Sequence, residues 1–492
     1  MRGETGMRRI CIITFLLLLM TGLTIKTNAV EDMAQMITSS TAIAGNPDED
    51  YSLLTDGMES ASLFLAGELS FQNEAGIGSM YLVFDVPCSF TVQDMENGRS
   101  YTQRNQGYLH VFTDLEANFG YAPREISVRF SEAVWLAEVQ VFSSGEVPNT
   151  VQRWEQPHNG SADIVLFSTH GDDEQLYFAG LLPYYAVERD LKVQVVYMTN
   201  HVTLDGSVRQ HEMLNGLWAV GVHAYPVFGT FPDFKIMSLE GTYEEYENLG
   251  FSHTDLLQFV VENVRRFKPL VAIGHDLDGE YGHGMHMVYA DLLTQAVTLS
   301  ADPQAFPQLA ERYGVWDVPK TYLHLYPENP IVMDWDQPLE SFGGMTAFTV
   351  TQKYGFPSHL SQQFELYTHW LYGEEGEITQ AAQIETWSPC FFGLYRSTVG
   401  EDTRKNDFME NLSSYEEIFR EADAQEESRR GIVLVAQEKQ AAEPKLLRSP
   451  EEEKFELGRK QNDFPVFSMM ISFGAVVGIA VLFKKVKNFE KK

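Results

Sequence analysis

Asp163-Ile-Val-Leu-Phe-Ser168-Thr169-His170-Gly171-Asp172-Asp173-Glu174 is the stretch that decides how the chain reads. Its first half is a largely apolar strand, and its polar second half falls where helical spacing begins, over Glu174–Arg189. Outward from it the same grammar repeats. Leu191–Met198 is expected as a second strand and Leu270–Ile273 as a third. Val208–Val220, Asp255–Phe267 and about residues 285–299 are expected as helices. Strands apolar on both faces and joined by helices imply βαβ units and a parallel sheet. Residues 158–409 are therefore expected to form a central α/β, Rossmann-like domain, with pieces such as Thr321–Leu325 extending its sheet.

In such sheets the carboxyl ends of the strands line the ligand crevice. The first strand ends in an imidazole and two carboxylates. The strand Val271–Ile273 ends in Gly274-His275-Asp276-Leu277-Asp278-Gly279-Glu280-Tyr281-Gly282-His283-Gly284-Met285-His286. A metal ion accounts for this residue set better than a nucleophile scheme, because a catalytic zinc takes three N or O ligands and leaves one position for water, whose pKa falls to about 7. His170, Asp173 and one of His283 or His286 would supply the donors. Neighbouring Asp172 and Asp173 cannot both face the ion, so one is free to take a proton from the attacking water. The remaining histidine, protonated, would stabilise an oxyanion or protonate a leaving amine.

Five short motifs then fall in order over residues 160–365. His170-Gly171-Asp172-Asp173-Glu174 resembles the His-Pro-Asp-Asp-Glu motif of the PIG-L/LmbE family of metal-dependent N-acetylglucosaminyl deacetylases, and Tyr281-Gly282-His283-Gly284-Met285-His286 resembles its Tyr-Gly-His-Pro-Asp-His. Arg209-Gln210-His211-Glu212, Phe231-Pro232-Asp233 and Ser358-His359-Leu360-Ser361-Gln362 resemble its intervening and later segments. The resemblance implies that His170, Asp173 and His286 hold a divalent metal, with zinc favoured, that Asp172 is the general base, and that His283 assists the tetrahedral intermediate. It further implies that Tyr281 closes over the substrate and that Arg209 and Asp233 hold sugar hydroxyls. Glu174 would cap the following helix or orient a histidine. Two positions depart from the family pattern: Gly171 replaces a proline, and Met285 replaces an acid that would otherwise raise the proton affinity of His283.

Residues 30–148 read differently. Met80–Val86, Gly107–Phe112, Glu125–Phe130 and Trp135–Phe142 alternate apolar and polar residues between Gly, Pro and Asn turns, which predicts a half-buried antiparallel β-sandwich. Leu54-Thr55-Asp56-Gly57, Pro123-Arg124-Glu125-Ile126 and the closing strand Ala137–Phe142 resemble the discoidin-like, galactose-binding-like family. That resemblance implies either glycan binding, with a structural calcium as a second cation, or simple bracing of the neighbouring domain.

The ends of the chain suggest membranes. Arg8 and Arg9, the apolar run Ile10–Leu23 and Thr27-Asn28-Ala29 have the layout of a signal peptide over residues 1–29. Residues 464–483 contain no charge and precede a lysine-rich stretch, 484–492, so a C-terminal transmembrane helix with a basic cytoplasmic tail is expected, behind an acidic stalk over 410–463. The expected localisation is a single-pass cell-membrane protein with an extracellular ectodomain.

The chain has 492 residues, 36 Lys+Arg against 69 Asp+Glu, and a formal charge of −33. Residues 1–29 carry +3 and residues 464–492 carry +4, which leaves −40 for residues 30–463. Nucleic acid is excluded as a partner, since no cluster of Lys and Arg lies in the body, and polyanionic substrates are disfavoured. With only Cys11, Cys88 and Cys390, no disulfide framework or cysteine zinc cluster can form. Two separate buried thiols, Cys88 and Cys390, are favoured over a bridge. His275 reads first as hydrogen-bonded structure, Trp218 and Trp370 as core, and Glu426 with Glu427 as solvated surface.

Two functions fit these residues. One is a surface-attached metal-dependent hydrolase that removes N-acetyl groups from N-acetylglucosamine-type sugars of a glycan or glycoconjugate. The other is a catalytically weak carbohydrate-binding or adhesion protein that keeps the deacetylase fold.

Overall fold

The computed structural model describes residues 33–201 and 207–420. The described chain begins with β1 (Ala42–Ala44), β2 (Leu63–Leu65), β3 (Glu68–Gln72), β4 (Ser79–Phe84), β5 (Phe90–Asp94), β6 (Ser100–Gln103), β7 (His110–Asp114), β8 (Glu125–Phe130) and β9 (Val134–Phe142). They pair antiparallel into a five-stranded sheet, β1-β3-β8-β5-β6, and a four-stranded sheet, β2-β9-β4-β7. Phe71, Phe90, Val92, Ile126 and Val128 from one sheet meet Met80, Leu82, Phe84, Val139 and Val141 from the other in a single apolar core. The four-stranded sheet departs from the half-buried pattern that alternation predicts, because every residue of β4 is buried. Tyr81, Val83, Ala137 and Phe142 pack on its second face, where the Leu109 amide donates to the Tyr225 hydroxyl at 3.0 Å. The rest of the chain covers a face that would otherwise be wet.

After the sandwich come β10 (Ile164–Ser168), β11 (Val193–Thr199), β12 (Val227–Phe231), β13 (Val271–Gly274), β14 (Lys320–His324), β15 (Pro330–Val332) and β16 (Phe391–Ser397). They form one sheet in the order β12-β11-β10-β13-β14-β16-β15. The five strands from β12 to β14 are parallel, and β16 and β15 add antiparallel pairings at one edge. Side-chain alternation along these strands feeds two separate cores. Ile164, Leu166, Val193, Val195 and Tyr197 join Met213, Leu214 and Leu217 of the helix Val208–Ala219. Val165, Phe167, Val196 and Met198 join the helices His253–Phe267 and Gly284–Leu299 on the other face. Helices on both faces explain why β10 and β11 are buried throughout and mostly apolar. From β10 the chain steps outward to β11 and β12, then returns to β13 on the opposite side, so a topological switch point lies between β10 and β13.

The stretch after β10 is not the continuous helix that its spacing predicts. Residues 171–180 run as turns, and helical structure is a π-helix over Pro183–Glu188. Gly180 adopts φ +89°, and a Cβ there would stand 2.6 Å from Trp335 Cγ, so the packed indole and the left-handed backbone break the helix.

The expected C-terminal transmembrane helix is corrected: among the described residues no helix is long and apolar enough to cross a membrane, so neither a membrane-spanning fold nor single-pass membrane localisation is supported. Residues 464–483, the signal sequence expected over 1–29, the tail 484–492 and the stalk beyond 420 lie outside the described residues. The first residue assigned to that stalk is not solvated. Glu410 is buried, and its carboxylate accepts from the backbone amides of Thr403, Arg404 and Lys405. Cys88 and Cys390 are separate, buried thiols.

Lys320 fastens this last segment to the sheet. Fully buried on β14, it pairs with Asp402 and donates to the carbonyls of Phe408 at 3.1 Å and Glu410 at 2.9 Å. Lys320→Met removes one partner of a buried pair, and the expected loss of stability is about 3–5 kcal/mol. A shift of the denaturation midpoint at unchanged slope would register it.

Candidate metal centre and active site

Five parallel strands deliver their carboxyl ends to one crevice: His170–Glu174 follow β10, His201 follows β11, Asp233 follows β12, His275–His286 follow β13, and His324 ends β14. Three donors converge at the switch point. His170 Nδ1 lies 3.0 Å from His286 Nε2 and 3.1 Å from Asp173 Oδ2, and His286 Nε2 lies 3.3 Å from that same oxygen. These are the three residues that the deacetylase resemblance names as ligands.

The donor set fits a divalent cation. Burial opposes charge on His170, yet Asp233 and Asp173 outweigh it and raise the imidazole to about 10. Burial likewise opposes charge on His286, and Asp173 and Glu280 lift it to about 9. Asp173, despite its burial, is held well below the ordinary carboxylate range by His286 and His170. The carboxylates thus call for positive charge at this point, and two neutral imidazoles with one carboxylate around a divalent ion would provide it.

The outer partners are equally specific. His170 Nε2 stands 3.2 Å from Asp233 Oδ1, and His286 Nδ1 stands 2.7 Å from Glu280 Oε2. Glu280 is fully buried and also meets His275 Nδ1 at 2.9 Å and His324 Nδ1 at 2.6 Å. The loop reaches this position through Gly279 at φ +67° and Tyr281 at φ +46°. Sequence alone does not announce this role of Glu280, because two of its three histidines, His275 and His324, lie outside the Tyr281–His286 motif. Outer-shell carboxylates of this kind orient ligands, so Glu280→Gln is expected to weaken zinc binding about 10–100-fold. Competition against a chromophoric chelator would measure it.

The other site residues take distinct places. Asp172 is buried beside Arg209, whose Nη2 lies 3.3 Å from Asp172 Oδ1 and donates to the Gly171 carbonyl at 3.1 Å. Burial raises the proton affinity of Asp172, Arg209 opposes it, and Asp173 adds to it, with a net upward shift. Arg209 and Asp233, expected to hold sugar hydroxyls, line the cavity but also contact Asp172 and His170 respectively. His283 stacks between His170 at 4.9 Å and Tyr281 at 5.3 Å. Burial and the charges of His170 and His286 press it down to about 3.

Glu174 orients a histidine: its Oε1 lies 3.0 Å from His359 Nε2, both fully buried. His275 accepts the Thr169 amide at 2.9 Å and belongs to the supporting network. His201 is a further residue that sequence reading missed. Its Nε2 accepts from Gly171 N at 3.1 Å and sits 2.7 Å from Thr199 Oγ1, and its position at the end of β11 was the available signal.

Neither departure from the family pattern disturbs the ligands. A Cβ on Gly171 would fall 1.9 Å from Met213 Cγ, so the methionine fills the space that a proline would need. Met285 turns into the core, where the Tyr246 hydroxyl donates to its sulfur at 3.3 Å.

Above the donors opens a cavity of about 320 Å³. It is lined by His170, Asp172, Asp173 and His283, by the apolar or aromatic Phe234, Met237, Tyr281, Leu366 and Tyr367, and by the polar Lys235 and Gln362.

No family model matches the chain. Among curated relatives, 1D-myo-inositol 2-acetamido-2-deoxy-alpha-D-glucopyranoside deacetylase 1 of Catenulispora acidiphila is 26% identical over 209 residues, covering 38% of this chain and 63% of that protein. The protein of the same description from Frankia alni is 26% identical over 173 residues, covering 31% and 59%. The chain therefore spans about three fifths of the length of these relatives. Among solved structures, N,N'-diacetylchitobiose deacetylase from Pyrococcus horikoshii aligns with a TM-score of 0.35 and 14% identity over 49% of this chain and 86% of that one. In sequence, the chain is similar to 2-acetamido-2-deoxy-glucopyranoside deacetylases over roughly the span of one domain.

Proposed function

We propose that the chain is a metal-dependent hydrolase that removes the N-acetyl group from N-acetylglucosamine-type sugars of a glycan or glycoconjugate. The observation that carries this reading is the convergence of His170, Asp173 and His286 within 3.0–3.3 Å, with a second buried carboxylate, Asp172, on the same cavity. The sequence similarity to sugar deacetylases supports the substrate class.

His170, Asp173 and His286 would hold the ion, which when bound supplies Lewis-acid polarisation of the amide carbonyl and acidifies water. Asp172 takes the proton from the attacking water and returns it to the departing amine. Its raised proton affinity suits both transfers, and Arg209 holds the carboxylate in place. His283 lines the cavity and offers a ring N–H to the oxyanion as it forms. The aromatic side of the cavity suits the apolar face of a sugar ring, and Lys235 and Gln362 suit its hydroxyls.

The discoidin-like reading of residues 30–148 belongs to the same proposal and is supported by the two-sheet antiparallel sandwich. The alternative, a carbohydrate-binding protein that keeps the deacetylase fold, rests on Met285 standing where the family motif has an acid and on the sandwich; the burial of the Met285 side chain among apolar residues lends it no support. The test is acetate release by the zinc-loaded protein from N-acetylglucosamine, its β-linked disaccharide and its inositol glycoside. Turnover of one or more supports the hydrolase; sugar binding without acetate release would replace it with the binder.

A further inference from the structure

A second set of ligating side chains lies between the sandwich and the α/β layer. His110 stands on β7, His211 on the helix Val208–Ala219, and Glu59 in the segment before β2. Each offers one ligand atom, and these atoms all lie within 4.8 Å of one another. His110 Nε2 and His211 Nδ1 face each other at 2.9 Å, close to the 3.0 Å between His170 Nδ1 and His286 Nε2.

The remaining nitrogens are already held. The Tyr81 hydroxyl lies 2.5 Å from His110 Nδ1, and Asp85 Oδ1 lies 3.2 Å from His211 Nε2. Glu59 Oε2 accepts from Asn215 Nδ2 at 2.7 Å, and Asn215 in turn accepts from Gln152 Nε2 at 2.5 Å. A partner on the far nitrogen of each imidazole and a hydrogen-bonded carboxylate are what ligating residues need to keep tautomer and orientation. A histidine pair that served only as a hydrogen bond would have no use for a carboxylate on its shared side.

We propose that Glu59, His110 and His211 form a second metal site, one that ties the sandwich to the α/β layer. Two imidazole nitrogens and one carboxylate oxygen select a borderline divalent ion of the zinc type over calcium or magnesium, which prefer oxygen-only shells. His110 and His211 are buried and Glu59 is half-buried, so the carboxylate side is the one from which an ion reaches the site.

The test counts zinc on the full chain by mass spectrometry after loading and dialysis. Wild type is expected to retain two ions per chain, the double variant His170→Gln, Asp173→Asn one, and that variant with Glu59→Gln added none. Zinc should raise the thermal midpoint of the double variant and fail to do so once Glu59→Gln is present. A double variant that holds no zinc, or a count that Glu59→Gln leaves unchanged, overturns the proposal. Should a His110 or His211 variant not fold, the half-exposed Glu59 carries the test alone. The one ion lost with Glu59→Gln is counted whether or not the His170 site is filled and no turnover is read, so failure of the deacetylase reading leaves that difference untouched.

Discussion

Asp172→Asn should lower acetate release about 10³-fold while the zinc content stays that of wild type. The asparagine keeps the shape and can still meet Arg209, whose Nη2 is 3.3 Å from Asp172 Oδ1, but it cannot take a proton. Burial is the largest influence on Asp172 and raises its proton affinity; Arg209 lowers it, and Asp173 raises it again. The net shift of Asp172 is upward, whereas its neighbour Asp173 is held well below the ordinary carboxylate range by His286 and His170, so of the two Asp172 is the one expected to take a proton. Single-turnover acetate release alongside metal analysis separates the two roles. A loss of less than tenfold would mean that another group accepts the proton.

Asp173→Ala should remove the ion itself. Asp173 Oδ2 is the atom common to His170 Nδ1 at 3.1 Å, His286 Nε2 at 3.3 Å and the His170 amide at 2.8 Å. Structural zinc sites bind with about 10–16 kcal/mol, so one of three donors is worth on the order of 4 kcal/mol, or about 10³ in affinity. Activity should fall to background, and chelator competition should show the weakened site. Unchanged zinc affinity would place the ion elsewhere.

Much of this arrangement could be read from local pattern. Apolar strands ending in His170-Gly171-Asp172-Asp173 and in Tyr281-Gly282-His283 announce both the parallel sheet and its crevice, because strand period and strand-end chemistry are written in consecutive residues. What escaped depends on contacts between distant segments. Glu280 reaches His324, and Glu174 reaches His359, only after the sheet has formed. The break at Gly180 comes from Trp335, a side chain 155 positions further along that no window around Gly180 contains. Alternation in β4 announces one buried face, yet its second face packs with Ala34, Val147 and Val151, which lie outside the strand's own window. Low charge over 464–483 suggested a membrane span by composition alone, and among the described residues no helix meets that standard.

The doubly covered four-stranded sheet has a consequence for how the protein melts. Tyr81, Val83, Ala137 and Phe142 pack with Ala34, Val147 and Val151, and His110 on the same sheet meets His211 of the helix Val208–Ala219. Unfolding the α/β part alone would take His211 from His110 and leave the buried Leu109 amide without the Tyr225 hydroxyl. The two parts are therefore coupled in free energy, and heat should take them apart in one cooperative transition rather than two. Cutting between them is therefore expected to destabilise both pieces.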